Sequence, residues 1–239
     1  MSLLKTIEHR HLKPLLRRMR PHRETAYAGV RVSYKPHLDG GGSTFGQDFV
    51  PVLRRRGMPK VARAFEWCAG PGFIGFSLLA HGLCETLCLA DVNPQAVAAC
   101  RRTVDENHLA DRVSVYESNN LTDIPPSEQW NLVVSNPPHF IDDFDEAWTL
   151  RAYDKDWNIH RRFFAAVGKF LAPDGVIVLQ ENGRGSTVES FRDMIEQSGL
   201  TIVFVHGAKP ELTVENNFYY IGIMRRGDTP PAWASGPTA

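Results

Sequence analysis

The chain has 239 residues, 27 Lys/Arg against 27 Asp/Glu and 43% hydrophobic residues, an ordinary balance for a globular protein with a sizeable core. No run approaches the ~18 apolar residues of a membrane span, and the basic N-terminus, MSLLKTIEHRHLKPLLRRMR, lacks the apolar segment and small-residue cleavage site of a secretory signal. The cysteines Cys68, Cys84, Cys88 and Cys100 form no CxxC pair, so reduced core thiols, a cytoplasmic setting and no metal site are expected.

The charge is unevenly spread. Residues 1–60 carry 13 Lys/Arg and 4 Asp/Glu, which leaves 14 and 23 for residues 61–239. A basic extension of this kind either meets an acidic partner, nucleic acid included, or folds onto its own acidic body. It begins with an expected helix broken by Pro14, continues in a glycine-rich loop, HLDGGGSTFGQDF, and ends in a helix at about 46–57.

From Val61 onward short apolar runs alternate with amphipathic stretches, the pattern of a βαβ series. Strands are expected at 63–68, 86–91, 112–117, 130–135, 175–181, 200–205 and 218–224, with helices at 73–82, 94–108, 158–171 and 186–198. Asn93-Pro94 reads as an N-cap followed by Pro at the first helical position. Ser186 with Glu189 reads as a capping box. The last strand follows its predecessor with no room for a crossover helix, so it is expected to insert antiparallel. The resulting division is a basic extension (1–60), a catalytic domain (61–227) and a disordered tail (228–239).

Two motifs carry the chemistry. FEWCAGPGFIGF sets Gly70, Gly72 and Gly75 between a strand and a helix, where glycines let a ligand approach the backbone and the helix N-terminal amides. Asp91 closes the next strand, placed to accept from ribose hydroxyls. On pattern alone this loop could hold NAD. Glu66, inside the strand, is poorly placed beside a pyrophosphate and well placed beside an ammonium and sulfonium ligand.

The second motif is VVSNPPHF, a buried strand stopped by Asn136, Pro137, Pro138 and His139. In an open α/β sheet ligands bind beyond the carboxyl ends of the strands at the switch in strand order, so Asn136 is expected beside whatever the glycine loop holds. Methyl transfer to a planar nitrogen requires its two N–H groups to be gripped so that the lone pair faces the methyl carbon. The Asn136 side-chain carbonyl and the Pro137 main-chain carbonyl supply two acceptors, which strengthen as positive charge develops. His139 supplies a flat face or a base.

With both motifs in place, the chain from about Val61 to Met224 resembles the class I S-adenosylmethionine-dependent methyltransferases that carry Asn-Pro-Pro-aromatic. That group includes release-factor glutamine, ribosomal RNA guanine N2 and adenine N6 methyltransferases. The resemblance implies a Rossmann-like α/β fold, a seven-stranded mostly parallel sheet with the last strand antiparallel and helices on both faces. It implies S-adenosyl-L-methionine as cofactor and S-adenosyl-L-homocysteine as product. Glu66 and Gly70 to Gly72 would line the methionine part and Asp91 would hold the ribose, with Cys68 and Val92 as further cofactor-binding residues. Asn119, in YESNNL, takes the place of the acid that faces the adenine amino group. His139 stands where the family has Tyr or Phe. The extension resembles segments that close over the cofactor, which puts Thr44, Phe45 and Gln47 at its amino acid end.

The expected activity is N-methylation of an amide or amino nitrogen in a peptide, protein or small molecule. An exocyclic base nitrogen of RNA or DNA is the alternative that the basic extension keeps open. The acidic run Asp142, Asp143, Asp145 and Glu146 after the clamp reads as a solvated loop, with recognition of a cationic substrate as the alternative; if it lined the substrate entrance it would repel phosphates. A nicotinamide-dependent oxidoreductase would explain the glycines and Asp91 but not Asn136-Pro137-Pro138, and a non-catalytic binding module on the same fold has no use for Asn136. His9, His11 and His22 read as solvated, and Trp148, Tyr153 and Trp157 as packing or a substrate lid.

Overall fold

Strands that are apolar along most of their length are buried on both faces when helices cover a parallel sheet, and the chain from Val61 onward folds in this way. The computed structural model describes residues 22–40, 42–141, 153–207 and 218–235. A hairpin of β1 (Arg23–Tyr27) and β2 (Val30–Tyr34) comes first, then α1 (Gly42–Phe45) and α2 (Phe49–Arg55). The main sheet contains β3 (Val61–Trp67), β4 (Cys84–Asp91), β5 (Val113–Glu117), β6 (Trp130–Ser135), β7 (Leu171–Asn182), β8 (Leu200–His206) and β9 (Phe218–Arg225). Its connecting helices are α3 (Phe73–Ala80), α4 (Pro94–Glu106), α5 (Asn158–Val167) and α6 (Val188–Gln197).

The strand order is β5-β4-β3-β6-β7-β9-β8. The first five of these pair in parallel, and β9 inserts antiparallel to both β7 and β8, as expected. Two cores cover the two faces. One packs Phe49, Leu53, Phe73, Phe76, Leu87 and Val104 from α2, α3, β4 and α4. The other packs Phe65, Trp67, Trp130, Phe163, Phe191 and Ile195 from β3, β6, α5 and α6. In the second, Phe65 stacks on Trp130 and Trp67 on Phe163, each pair with centroids 3.9 Å apart.

Several local expectations change. The β1–β2 hairpin was not foreseen, although Ala28 and Gly29 both take positive φ between paired runs, a two-residue turn of the kind that suits strand twist. Tyr27, Val32 and Tyr34 join the first core, so part of the extension is built into the same hydrophobic mass as the sheet. The helix expected to 171 stops at Val167 because Leu171 already pairs with Trp130 in the sheet. Helix α6 is capped by Thr187 with Ser190 rather than by Ser186 with Glu189. Ser186 is buried and bonds to the Tyr219 hydroxyl at 2.9 Å. The tail is not wholly loose: Trp233 and Ala234 are buried in the first core, and Arg56 Nε donates to the Trp233 carbonyl at 3.0 Å. The expected helix around Pro14 lies outside the described residues.

Gly75 shows how tightly α3 seats on the sheet. A Cβ there would lie 2.8 Å from both Glu66 Oε2 and Leu89 Cδ2. Gly75→Val is expected to cost about 1–3 kcal/mol through overpacking, read as a lower guanidinium midpoint with an unchanged slope.

Candidate active site

The turn from β3 to α3 is shaped by left-handed residues, Cys68 (φ 53°), Gly70 (φ 53°) and Gly72 (φ 81°), the last two where glycine removes the steric penalty. Two carboxylates hold it. Glu66 Oε2 accepts from Gly75 N at 2.7 Å and Oε1 from Ile74 N at 3.3 Å, so Glu66 caps the first turn of α3. Its burial pushes the carboxyl up to about 8, against the opposing pull of those two N–H groups. Asp91 Oδ2 accepts from Gly70 N at 2.7 Å and Oδ1 from Asn93 N at 2.8 Å. This carboxylate therefore joins the glycine loop to the start of α4, where the Asn93 side chain accepts from Gln95 N. Burial raises Asp91 too.

The Asn-Pro-Pro turn leaves the sheet from the neighbouring strand. β6 runs parallel to β3 with Val134 beside Glu66, and Ser135 Oγ donates to the Trp67 carbonyl. Asn136 Oδ1 is buried and, among the described residues, has no hydrogen-bond partner. An acceptor left this way costs about 1–3 kcal/mol unless something fills it. His139 turns back on Pro137: its Nδ1 lies 3.0 Å from the Pro137 carbonyl. A carbonyl only accepts, so Nδ1 carries the proton and, in the neutral ring, Nε2 is bare. Burial drives the imidazole down to about 4, which makes it a weak base and leaves its flat face as its contribution. The Pro137 oxygen keeps a second lone pair.

A cleft of about 890 Å³ joins the two motifs, within the range of small-molecule sites. Glu66, Cys68, Gly70, Asp91, Val92, Asn119, Asn136, Pro137 and His139 all line it. Gly72 does not; it shapes the loop from behind, where a Cβ would lie 2.7 Å from Phe76. Thr44 and Gln47 are exposed and are not among the lining residues, and the Phe45 side chain lies outside the description. The same loop reaches the cleft through Leu38, Asp39, Gly40 and Gly42 instead. Asp39 accepts from Ser43 N, and the Ser43 hydroxyl donates to its other oxygen, a local turn that Asp-x-x-x-Ser spacing could have signalled.

Other lining residues had not been singled out. Arg162 and Arg184 bring positive charge, and Arg162 donates to Asn119 Oδ1 at 3.3 Å. Phe140, Asn182 and Phe218 also line the cleft. The carboxyl groups of Asp39, Glu66 and Asp91 line the cleft; a cation bound beside them would favour their charged forms against the burial that raises Glu66 and Asp91. Of the weaker signals, His22 sits 2.7 Å from Arg102, and Trp157 packs on Phe191. Among the described residues no cluster of His, Cys, Asp and Glu could hold a metal, and no helix is long and apolar enough to cross a membrane. His9, His11, the acidic run 142–146 and Trp148 lie outside the described residues.

Residues 49–199 match the family model described as "Methyltransferase small domain". The release factor glutamine methyltransferase of Clostridium acetobutylicum is 28% identical over 127 residues, covering 47% of this chain and 44% of that protein. The tRNA1(Val) (adenine(37)-N6)-methyltransferase of Parabacteroides distasonis is 29% identical over 127 residues, covering 49% and 50%. The match thus spans about half the length of each of these relatives. Among solved structures, the Thermus thermophilus 16S rRNA N2 G1207 methyltransferase, in complex with AdoMet and guanosine, superposes with a TM-score of 0.57 over 86% of this chain and 50% of that one. At 13% identity that likeness shows the fold.

Proposed function

The chain belongs to the methyltransferase small domain family, and from that premise we propose that it transfers a methyl group from S-adenosyl-L-methionine to a planar amide or amino nitrogen. The observation that carries the proposal is Asn136 Oδ1, a buried acceptor in the wall of the cleft that has no partner among the described residues. The chain's own groups fit the cofactor. Gly70 and its neighbours supply backbone beside Asp91 for the ribose, Asn119 and Val92 line the nucleoside end, and the carboxylates Glu66 and Asp39 favour the cationic amino acid end. Bound there, the cofactor supplies a methyl carbon already activated by its sulfonium.

What remains for the protein is orientation. Asn136 Oδ1 and the Pro137 carbonyl each accept one N–H of the acceptor nitrogen, so its lone pair points at the methyl carbon. Both hydrogen bonds strengthen as the nitrogen becomes positive. The two prolines hold the turn rigid before the acceptor arrives. His139 offers its ring face to a planar group. A nitrogen cation flanked by a carbonyl or an aromatic ring is strongly acidic, so its surplus proton leaves without a strong base, in keeping with the low basicity of His139.

The acceptor we favour is an amide or amino group of a peptide, protein or small molecule. Arg162 and Arg184 in the cleft support a second reading, an exocyclic nitrogen of a nucleic acid base next to a phosphate. Saturating S-adenosylhomocysteine is expected to stabilise the protein by roughly 2.7 kcal/mol at 100 times its Kd, a rise of about 5–10 °C in Tm, and NAD to leave it unmoved. The reverse pattern would overturn the cofactor assignment. Labelled methyl from S-adenosylmethionine, traced into a cell extract and split by nuclease and protease, separates the acceptors. Label that survives nuclease supports the favoured one; label released by nuclease supports the second.

A further inference from the structure

Beneath the clamp lies a polar cluster that the proposed chemistry does not use. The side chains of Asp154, His160 and Glu181 are all 0% exposed. Asp154 Oδ2 lies 2.7 Å from His160 Nδ1, and Glu181 Oε1 lies 3.1 Å from Nε2. Carboxylate oxygens on both ring nitrogens are best served by a ring that donates from both, which is the imidazolium. Burial alone would push His160 down, but Glu181 and Asp154 together outweigh it and hold the ring up at about 9. The ring is walled by aromatics: Phe191 stacks on it at 4.7 Å, and Trp67 and Trp157 meet it edge-on at 5.5 and 5.6 Å.

Each end of this cluster reaches the clamp by a different route. Asp154 N donates to the Phe140 carbonyl at 2.7 Å, and Phe140 and Tyr153 form a parallel bridge. The Asp154 carboxylate also accepts from Ile159 N and His160 N at 2.7 and 3.0 Å, which fixes the start of α5 to the same point. At the other end Glu181 leads directly into the turn at 182–186. There Gly185 lies so close to the clamp that a Cβ would sit 2.2 Å from the His139 carbonyl oxygen and 2.5 Å from Phe140. His139 and Phe140 are therefore supported from two sides, and His160 ties the two supports together. Burying two carboxylates and an imidazole adds little net stability over an apolar trio of the same shape, so the cluster calls for a reason other than stability.

We propose that Asp154, His160 and Glu181 are positioning residues for the turn from Asn136 to Phe140, a strut that sets the acceptor clamp against the cofactor side of the cleft. This rests on the reading of that turn as the clamp. Glu181→Leu removes the acceptor for His160 Nε2, and Glu181→Gln restores one.

In the Leu variant the backbone amides of His139, Phe140 and Asp154 are expected to exchange at least tenfold faster. Methyl incorporation from labelled S-adenosylmethionine into a cell extract should fall at least tenfold, with S-adenosylhomocysteine affinity within about twofold of the parent. Glu181→Gln should bring exchange and incorporation back to within about threefold. Should the Leu variant not fold, His160→Gln, whose amide spans one carboxylate but not both, carries the same readouts. Ile195→Val, a truncation in the same core cluster, controls for general loosening. Clamp amides as protected as the parent's in a folded variant, or loosened equally by Ile195→Val, would overturn the strut. Failure of the clamp itself shows separately, as full transfer by Asn136→Ala.

Discussion

Asn136→Ala is expected to lower methyl transfer by about two to three orders of magnitude, the effect of removing one preorganised acceptor that strengthens in the transition state. Cofactor affinity should barely move. Among the described residues Asn136 Oδ1 accepts no hydrogen bond, so truncation breaks no hydrogen bond of that atom there and removes an unsatisfied buried group. Stability is accordingly expected to hold or rise slightly. A catalytic residue whose loss leaves the fold intact is the signature sought, and calorimetric titration with S-adenosylhomocysteine beside single-turnover transfer measures it. Unchanged transfer would end the clamp mechanism. Asn136→Asp is the informative companion: it keeps acceptor oxygens but adds a charge to the wall of a cleft already lined by Asp39, Glu66 and Asp91.

Asp91→Ala should act on the other half of the site. This carboxylate joins Gly70 N to Asn93 N, and in the proposed complex it also accepts from the ribose hydroxyls. Hydrogen bonds to a charged group contribute about 1.5–3 kcal/mol each. Losing the ribose contacts and the hold on the glycine loop is expected to weaken S-adenosylhomocysteine binding by about 2–4 kcal/mol, roughly 30- to 700-fold. The thermal shift produced by the ligand should shrink in step. Asp91→Asn should fall between the two, because an amide has one oxygen to offer where two backbone N–H groups and a ribose compete. A wild-type affinity in the Ala variant would remove Asp91 from the cofactor site.

The parallel strands, the antiparallel insertion of β9 and the pairing of β3 with β6 were all readable from Val61 onward, because period and punctuation are local properties of the chain. Asn93-Pro94 likewise announced α4. Several misses come from a partner that is distant in sequence, whereas the β1–β2 hairpin was missed although its pairing is local. Leu171 joins the sheet through Trp130, Trp233 packs on Phe204, and the glycine-rich loop faces the cleft with Asp39 and Gly40 rather than with Thr44 and Gln47.

Residue type and spacing by themselves determined the two motifs, their order and the end of the sheet at which they meet, since a strand's direction and its carboxyl end follow from the chain. Tertiary structure alone decided how each side chain is employed. Glu66 is engaged by Gly75 and Ile74, His139 is bent back onto Pro137 and stripped of basicity by burial, and Asn136 Oδ1 is left open. The buried Asp154, His160 and Glu181 cluster is drawn from a loop, a helix and a strand. Hydrogen bonding and desolvation depend on which atoms are brought within about 3 Å of one another, and only the folded chain brings these together.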